Sequence, residues 1–386
     1  MRKLPALLAI LCVAVLVPAA ASAQTEPETV TLDATTGTIT IGHDVRLSGE
    51  ITPSTGSQTV EIRDEGDTIV ATATTGAAGA FSVTITPEGT RTYRAYWTAA
   101  VSEPVTVRVR ALVTVRMSGV RLFDDVVVRG TVKPARPGRR VEVSLVVGGR
   151  VVQTQRVAMG SAGGFTAMFR AMHVGTYRAR ASFSRPDLLR GSAVGESSTP
   201  PLPSLRSGSD GPFVALLECR LVELHYRLAG ARDGKFDFRT ADAVVAFHKV
   251  QRMARVFSVS AATWRALADP LVARARHDWR GLHFEVDQTR QVLMTVEDGE
   301  VTNILHVSSG AGGATRDGSF RVFRKIAGYS GHRLYYPSYF DGLRALHGWP
   351  EVPTYAASHG CVRIPYWNAI WVHGLADYGT RVVIYH

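Results

Sequence analysis

The segment Ser358-His359-Gly360-Cys361-Val362-Arg363, with His347-Gly348 upstream of it, decides the fold of the C-terminal part of this chain. It places a thiol between a glycine and an arginine, and it supplies two histidines as candidate bases. A cysteine attacks as its thiolate, and an imidazole within hydrogen-bond reach takes the proton. The pattern predicts that Cys361 is a nucleophile, with glycine amides available to an oxyanion and Arg363 available to an anionic substrate.

Only two cysteines, Cys219 and Cys361, follow residue 23. A disulfide between them is the structural alternative for an exported chain. It is the weaker interpretation, because Cys219 lies on the apolar face of a predicted helix and Cys361 lies in a glycine-flanked loop. A zinc site at His347, His359 and Cys361 lacks a second cysteine or a paired histidine motif, so no metal is expected.

The first 23 residues have the pattern of an export signal. Arg2 and Lys3 precede an apolar stretch, residues 4–17, and residues 21–23 form a small-x-small cleavage site. The stretch is too short for a transmembrane helix, and no later apolar run is long enough to span a membrane. We therefore expect a cleaved chain with no transmembrane anchor, located outside the cytoplasm as a secreted, cell-wall or periplasmic protein.

The chain of 386 residues is basic, with 44 lysine and arginine residues against 33 acidic residues and a formal net charge of +11. Such a charge suits an acidic extracellular polymer, for example a bacterial wall with its carboxylates and phosphates. Arginines occur in all regions of the sequence, and they do not form a basic stripe with aromatic residues between the charges. Nucleic acid is therefore not expected as a partner, and the composition does not indicate an oligomeric state.

Residues 30–195 contain one all-β pattern twice, in residues 30–110 and in residues 111–195. Corresponding positions are 81 residues apart in the first half of the pattern and 84 apart in the second half. The paired segments are 45–49 with 126–130, 60–62 with 141–143, 79–81 with 163–165, and 89–95 with 175–179. Alternating apolar and polar residues between regular turns predict two antiparallel β-sandwiches. The pattern resembles bacterial immunoglobulin-like domains, which implies spacers or low-affinity wall contacts.

Residues 196–210 are rich in proline and serine and predict an extended linker. Residues 211–270 change to helical spacing of leucines, with an Asp233-Gly234 turn and a final Thr263-Trp264 segment. This order resembles the three-helix peptidoglycan-binding domain of wall enzymes. That family usually carries glutamine where this chain has His248, which weakens the expected ligand affinity. A small three-helix bundle that only positions its neighbour is the alternative.

Residues 279–386 return to strand patterns, beginning with a hairpin and an Asp298-Gly299 turn. Here the chain resembles the L,D-transpeptidase catalytic domain of the YkuD family, in several segments that keep the family's order. These segments are Val307-Ser308-Ser309-Gly310, Thr315-x-x-Gly318-x-Phe320, His347-Gly348, residues 358–363 and residues 379–384. The overall prediction is a multidomain, mainly β protein with two β-sandwiches, a small three-helix bundle and a β-rich catalytic domain.

The resemblance implies a role for each residue of the motif. Cys361 is the nucleophile and His347 is the general base and acid, with the backbone of Gly360 in the oxyanion hole. His359 is the alternative base, because residues two apart in an extended segment point to one face. The remaining implied contacts are with substrate: Gly348, Ser358, Arg363 and Tyr336. The alternatives are a backbone hydrogen bond that holds the loop for Ser358, a salt bridge for Arg363 and core packing for Tyr336.

The resemblance also implies an exported enzyme that uses peptidoglycan tetrapeptide stems as donors and the amine of a neighbouring stem as acceptor. It would form 3→3 cross-links through a cysteine thioester, and carbapenems would acylate Cys361. With water as the acceptor, the same site is an L,D-carboxypeptidase, and no cofactor is expected in either case. The alternative from another class is a wall-binding structural protein with an inactive C-terminal domain. Alkylation of an activated Cys361 at about pH 6–7 is expected to separate the two.

Overall fold

The computed structural model describes residues 26–53 and 56–386. The predicted export signal, residues 1–23, lies outside this range. The described chain forms two compact units: one holds the residues up to Leu112 together with Ser184–Gly191, and the other holds Val113–Phe183 and Ser192–His386. Within the described range, no helix has both the length and the apolar character needed to cross a membrane.

Short strands fill the N-terminal part of the first unit. They are β1 (Thr29–Val30), β2 (Asp33–Ala34), β3 (Thr38–Thr40), β4 (Val45–Thr52), β5 (Thr59–Asp64), β6 (Ile69–Thr74), β7 (Ala80–Ile85), β8 (Arg91–Trp97), β9 (Ala100–Val101) and β10 (Val105–Arg110). Strand β4 pairs with β1, β2 and β7 in one sheet, and β5 pairs with β6 and β8 in another. Alternate residues of β4 and β8 are buried, as expected where two sheets cover one core.

A second set of strands follows, and its strands pair in the same pattern as those of the first set. They are β11 (Leu112–Met117), β12 (Asp125–Lys133), β13 (Arg140–Val147), β14 (Arg150–Ala158), β15 (Gly164–Arg170), β16 (Tyr177–Arg185) and β17 (Leu188–Val194). Strands β11, β12 and β15 form one sheet, and β13 pairs antiparallel with both β14 and β16. Residues of β15 and β16 alternate between buried and exposed, which again indicates one covered and one open sheet face.

The two strand patterns share one local packing arrangement. Gly49 lies opposite Phe81, and a Cβ added to this glycine would lie 2.7 Å from the Phe81 ring. Gly130 lies opposite Phe165, and a Cβ there would lie 2.4 Å from the Phe165 ring. In both patterns the glycine therefore lets a phenylalanine ring from the neighbouring strand cover the backbone, which gives a physical reason for the repeated residues.

Three helices follow: α1 (Pro212–Glu223), α2 (Phe238–Val250) and α3 (Ala261–Ala268). Helix α2 begins after Asp237, whose carboxylate accepts hydrogen bonds from the first amides of the helix. His248, the position at which the resembling family has glutamine, is 1% exposed and hydrogen-bonds Thr263 Oγ1 of α3 at 3.0 Å. His248 therefore joins two helices in the interior and is not exposed to a ligand.

The C-terminal region contains two sheets and one helix. The elements are β18 (Leu282–Asp287), β19 (Val292–Glu297), β20 (Glu300–His306), β21 (Gly318–Arg321), β22 (Arg324–Lys325), β23 (Tyr335–Asp341), β24 (Arg344–Trp349), β25 (Val362–Pro365), α4 (Tyr366–Leu375) and β26 (Arg381–Tyr385). One sheet has the strand order β20-β19-β18-β26-β21, and the other has the order β22-β23-β24-β25. Asp298 and Gly299 both have positive φ and make the expected two-residue turn between β19 and β20.

Strand β19 is buried on both faces. Val292 and Met294 belong to a hydrophobic core shared with Leu217 of α1 and Trp264 of α3. Leu293, which points the other way, belongs to a second core that includes residues of β24, β25 and α4. The three helices and the second sheet thus cover opposite faces of the five-stranded sheet.

The prediction of a mainly β chain that ends in a β-rich domain is confirmed. The limits of the predicted domains at residues 30–110, 111–195, 196–210, 211–270 and 279–386 stay predictions. The second unit is not a chain of separate modules, because the helices and the C-terminal sheet share one core.

Candidate active site

Strands β24 and β25 run parallel and bring the central residues of the motif together. His347 in β24 lies opposite Arg363 in β25, and Cys361 directly precedes β25. Because side chains alternate between the two faces of a sheet, those of Cys361, Arg363 and His347 lie on one face. The strand pair therefore groups a thiol, an imidazole and a guanidinium group.

The Cys361 thiol is half-buried and donates a hydrogen bond to the Leu343 carbonyl oxygen at 3.6 Å. Burial raises the pKa of this thiol, although a hydrogen bond from the Ala345 amide and the charges of Arg344 and Arg363 act in the opposite direction. At neutral pH the resting Cys361 thiol is therefore protonated. This direction of the shift does not agree with the expectation of ready alkylation at about pH 6–7.

The imidazole of His347 is buried. Its Nδ1–H donates to the Gly348 carbonyl oxygen at 2.9 Å, so the lone pair of the neutral ring lies on Nε2. Burial lowers the pKa of His347 to about 4, the hydrogen bond to Gly348 opposes this shift, and the charge of Arg363 adds to it. At neutral pH the ring is therefore an uncharged base.

A neutral thiol beside a neutral imidazole suits general-base catalysis. Burial disfavours the charged form of both groups, so a resting thiolate–imidazolium pair would be costly here. In general-base catalysis the proton leaves a thiol as the sulfur attacks, and an imidazole within hydrogen-bond reach receives it. The arrangement can therefore perform acyl transfer in which the thiol is activated only when a substrate is bound.

Ser358 holds the loop that carries Cys361. Its Oγ donates to the Cys361 carbonyl oxygen and accepts a hydrogen bond from the Gly360 N–H at 3.1 Å. Gly360 has a φ of 130°, which favours glycine, and its carbonyl oxygen accepts from Thr315 Oγ1 at 2.9 Å. Ser358 thus has the loop-holding role that is one of the two expected for it, and the resting Gly360 amide is paired with Ser358 and not open to an oxyanion.

His359 lies at a bend, and its side chain is exposed. The expectation that the side chains of His359 and Cys361 share a face assumed an extended backbone. The positive φ of Gly360 interrupts that geometry. The structure therefore brings His347, and not His359, to the face that carries the thiol.

Gly348 and Tyr336 lie on the other face of the sheet, against α4. A Cβ added to Gly348 would lie 2.7 Å from Ala369 and 2.9 Å from Tyr335, so the glycine lets the helix approach the strand. The Tyr336 ring meets the ring of His373 in α4 with centroids 5.3 Å apart. Both residues thus serve the packing of α4, which is the expected alternative for Tyr336, and their substrate contacts stay predictions.

Arg363 is half-buried, and its guanidinium carbon lies 5.3 Å from the centroid of the Trp349 ring. The same tryptophan ring meets His347 edge-on at 5.6 Å. Within the described part of the chain, no carboxylate forms an ion pair with Arg363. Trp349 therefore braces both side chains, and the guanidinium group stays available to an anion.

Arg344 lies near Cys361, and sequence reasoning does not single it out. Its Nε donates to the Ala314 carbonyl oxygen at 2.8 Å, and the same atom lies 3.0 Å from the position that a Cβ of Gly360 would take. Thr315, whose hydroxyl donates to the Gly360 carbonyl oxygen, belongs to the Thr315-x-x-Gly318-x-Phe320 motif. Its position in the sequence does not predict this contact. Arg344 lies three residues before His347 and carries no motif signal of its own.

Residues near α2 hold the loop between β24 and β25. Lys249 of α2 is 2% exposed and donates to His306 Nδ1 at 2.6 Å, and His306 Nε2–H donates to the Val352 carbonyl oxygen at 2.8 Å. Arg255 donates to the Thr354 carbonyl oxygen at 2.7 Å. The loop that leads to the nucleophile therefore depends on the helical region for its position.

Replacing Lys249 with methionine is expected to destabilise the second unit by about 3 kcal/mol, because each acceptor left without a donor costs about 1 kcal/mol or more. Besides His306, the ammonium group donates to the carbonyl oxygens of Gln291 at 2.8 Å and Val307 at 3.0 Å. Urea unfolding measures the loss, and the exposed Lys235→Met variant is the control. Equal unfolding midpoints for the two variants would refute the structural importance of the buried ammonium group.

The three candidate zinc ligands do not converge, because the His359 ring is exposed while His347 is buried. Among the residues that the structure describes, no group of three or more histidine, cysteine, aspartate or glutamate side chains is placed to hold a metal ion. Cys219 and Cys361 are both free thiols.

The two packed sheets and the residues grouped on β24 and β25 define a β-rich catalytic domain. Residues 282–384 match the family model of YkuD, the L,D-transpeptidase catalytic domain. Through this domain the chain belongs to the L,D-transpeptidase family, which confirms the resemblance for the C-terminal region. This match does not extend to the regions predicted to be immunoglobulin-like or peptidoglycan-binding.

Several solved L,D-transpeptidase structures are similar to the chain. Residues 123–326 of the enzyme from Xylanimonas cellulosilytica DSM 15894 are 35% identical, and the match covers 48% of this chain and 100% of that one with a TM-score of 0.45. The enzyme from Stackebrandtia nassauensis is 24% identical over 47% of this chain and 97% of that one, with a TM-score of 0.31. The catalytic domain from E. faecium is 22% identical over 29% of this chain and 100% of that one, with a TM-score of 0.25. No curated protein matches the chain significantly.

Proposed function

We propose that the protein is an exported L,D-transpeptidase acting on peptidoglycan stem peptides, with Cys361 as nucleophile and His347 as general base and acid. The observation that carries the proposal is the parallel pairing of β24 with β25, which puts the imidazole and the thiol on one face beside Arg363. The family membership of residues 282–384 supports the same class of reaction.

The first step transfers the acyl group of a tetrapeptide stem to the enzyme. The Cys361 sulfur attacks the carbonyl carbon between an L-centre and the terminal D-alanine, while His347 Nε2 takes the thiol proton. The carbon–nitrogen bond then breaks, and His347 gives the proton to the leaving amine. The products are a thioester at Cys361 and free D-alanine.

The second step resolves the thioester. The side-chain amine of a neighbouring stem attacks the thioester carbonyl, His347 Nε2 takes a proton from that amine, and the carbon–sulfur bond breaks. The departing thiolate recovers the proton from His347, which restores the resting pair and leaves a 3→3 cross-link. With water in place of the amine, the same sequence releases a tripeptide, which is L,D-carboxypeptidase activity.

Positive charge around the thiol supports both steps. Arg344 and Arg363 lower the pKa of the Cys361 thiol against the effect of burial, which means that they favour negative charge at this position. The same potential stabilises the oxyanion of the tetrahedral intermediate. We assign the fork-shaped guanidinium of Arg363 to a carboxylate of the acidic stem peptide, with the Trp349 ring fixing its orientation.

The rest of the chain is proposed to serve the same wall. Residues 30–110 and 111–195 would be immunoglobulin-like spacers, and residues 211–270 a peptidoglycan-binding-like domain whose contacts also position the catalytic loop. The predicted signal at residues 1–23 would place the protein outside the cytoplasm, in the wall or periplasm.

The test incubates the chain from residue 24 onward with disaccharide-tetrapeptide muropeptides and identifies the products by mass spectrometry. Cross-linked dimer with free D-alanine is the expected result, and tripeptide without dimer would assign the carboxypeptidase. The matched control is Cys219→Ala, which removes the other free thiol and is expected to give the same products. Unchanged substrate, together with no carbapenem adduct on Cys361, would reject the enzyme in favour of a structural wall-binding protein.

A further inference from the structure

The positive charge of this chain is concentrated in one strand region. Residues 113–183, which contain most of β11 to β16, hold twelve arginine and lysine residues against three acidic residues, a net charge of +9 out of the chain's +11. The described residues of the first unit hold eight basic and twelve acidic residues. Basic residues do occur in all regions, as expected, but acidic residues are scarce in residues 113–183, so the net positive charge is concentrated there.

Most of these cations have no acidic partner. Ion pairs of this region join Arg121 to Asp124, Arg156 to Glu142 and Arg170 to Glu223. The exposed basic residues for which no carboxylate of the described chain lies within ion-pair distance are Arg116, Arg129, Lys133, Arg139, Arg140, Arg150, Arg178 and Arg180. Unpaired like charges repel each other and destabilise a compact fold, so such a surface is better explained by a polyanionic partner than by stability.

Five of these cations belong to the sheet that contains β13, β14 and β16, or lie at its end, and the other three belong to the sheet of β11, β12 and β15. Arg178 and Arg180 alternate along β16 with the buried Tyr177 and Ala179, so both guanidinium groups leave the sheet on the same side, about 7 Å apart along the strand. Arg180 lies opposite Ser144 of the neighbouring strand β13, and this small side chain does not cover the guanidinium group. An extended array of separate charges on a flat sheet fits a linear polymer with repeated negative charge.

The chemistry of this surface selects among polyanions. All five aromatic residues of the region are buried: Phe123, Phe165, Phe169, Tyr177 and Phe183. Binding of single-stranded nucleic acid uses aromatic side chains on which bases stack, and this surface offers none. Seven of the eight unpaired cations are arginines, whose planar fork matches the geometry of phosphate oxygens.

We propose that the surface formed by Arg139, Arg140, Arg150, Arg178 and Arg180 binds a linear phosphodiester polymer without bases, of the poly(glycerol phosphate) type. Each repeat unit of such a polymer carries one full negative charge, so neighbouring phosphates engage neighbouring arginines. The proposal goes beyond the transpeptidase reaction and does not require it, because none of these residues lies in the catalytic domain. It would hold the enzyme on the anionic component of a wall while the C-terminal domain acts on stem peptides.

The experiment measures binding of poly(glycerol phosphate) to the chain from residue 24 onward by isothermal titration, over a series of salt concentrations. The protein carries Cys361→Ala, so that the result is independent of any activity. The test variant is R139Q/R140Q/R178Q/R180Q. The matched control, R108Q/R232Q/R274Q/R280Q, removes the same charge from exposed positions elsewhere in the chain.

We expect the test variant to bind at least about tenfold more weakly at moderate salt, and to reduce the slope of log K against log salt by about 3, since each lost phosphate contact removes about 0.7. The control is expected to stay within about twofold of the parent protein. Absence of binding by the parent, or equal losses in both variants, would overturn the proposal. Equal affinity for poly-γ-glutamate or for a single-stranded oligonucleotide of matched charge would also overturn it, since the phosphodiester specificity would then be missing.

Discussion

Replacing Cys361 with serine is expected to lower kcat by a factor of about 10⁴ or more, the scale seen when a covalent nucleophile is removed. Serine keeps the size of the side chain and can still donate to the Leu343 carbonyl oxygen that the thiol contacts. Its hydroxyl, however, is a far weaker nucleophile than a thiol that transfers its proton to His347. The measurement is the initial rate of D-alanine release from a tetrapeptide stem.

The control for this experiment is Cys219→Ser, at a half-buried position in α1 outside the site. That variant is expected to keep the parent rate within about twofold, since single substitutions away from a site change little. Intact-protein mass spectrometry adds an independent measure: the parent should accumulate an acyl adduct on Cys361, and the serine variant should not. A serine variant that retains a substantial fraction of the parent rate would disprove the thioester mechanism.

Replacing His347 with glutamine is expected to lower kcat by about 10³, within the range for loss of a general base. Glutamine can still donate to the Gly348 carbonyl oxygen in place of Nδ1–H, but it cannot accept a proton from the thiol. The fold around Trp349 and Arg363 should therefore persist while the proton acceptor is lost. Near-parent circular dichroism and an equal urea midpoint would show that the rate loss is chemical.

The pH profile separates this role from a structural one. His347 must be neutral to accept a proton, and its pKa is lowered to about 4. The parent's kcat/KM should therefore fall as the pH drops through about 4 and stay level to about pH 7, whereas an ordinary histidine would place the fall near 6.5. The glutamine variant should lose this acid limb and instead gain rate with rising pH as the thiolate forms. An acid limb at about 6.5 in the parent, or one that persists unchanged in the variant, would contradict the assignment.

The C-terminal fold was predictable because its signals are local. Asp298-Gly299 between two apolar runs specifies a two-residue turn, and the structure has positive φ at both positions. The order of the motif segments around His347 and Cys361 identified the catalytic domain before any geometry was known. The sequence also contained the internal repeat, since Gly49 and Gly130 recur at the expected offset and each lies under a phenylalanine ring.

The sheet face on which a side chain lies was not predictable from such local signals. Gly348 is adjacent to His347 in sequence, yet the strand's alternation turns it toward Ala369, a helix residue that lies 21 positions later. His359 appeared suited to the thiol because an extended backbone was assumed, and one glycine with a φ of 130° at position 360 removes that geometry.

Contacts between distant segments were also missed, for a different reason. Lys249 and His306 are 57 residues apart, and nothing in the sequence of either position indicates that the other will be its partner. Lys249 lies in the last turn of α2 between His248 and Val250, and it was the available signal, since lysine is seldom fully buried without a partner. The concentration of charge in residues 113–183, in contrast, was available from a simple count over windows of the chain.

The burial of β19 on both faces limits how this protein can be divided. Val292 and Met294 need the helices as cover, while Leu293 needs the second sheet, so neither side can be removed without exposing an apolar face to water. A fragment that begins at residue 282, where the family match starts, would keep every residue of the motif. It would lose the helices that cover one face of β19. We therefore expect a stable fragment that contains the active site to include α1–α3, and we expect a shorter piece to expose the apolar residues of β19 that these helices cover.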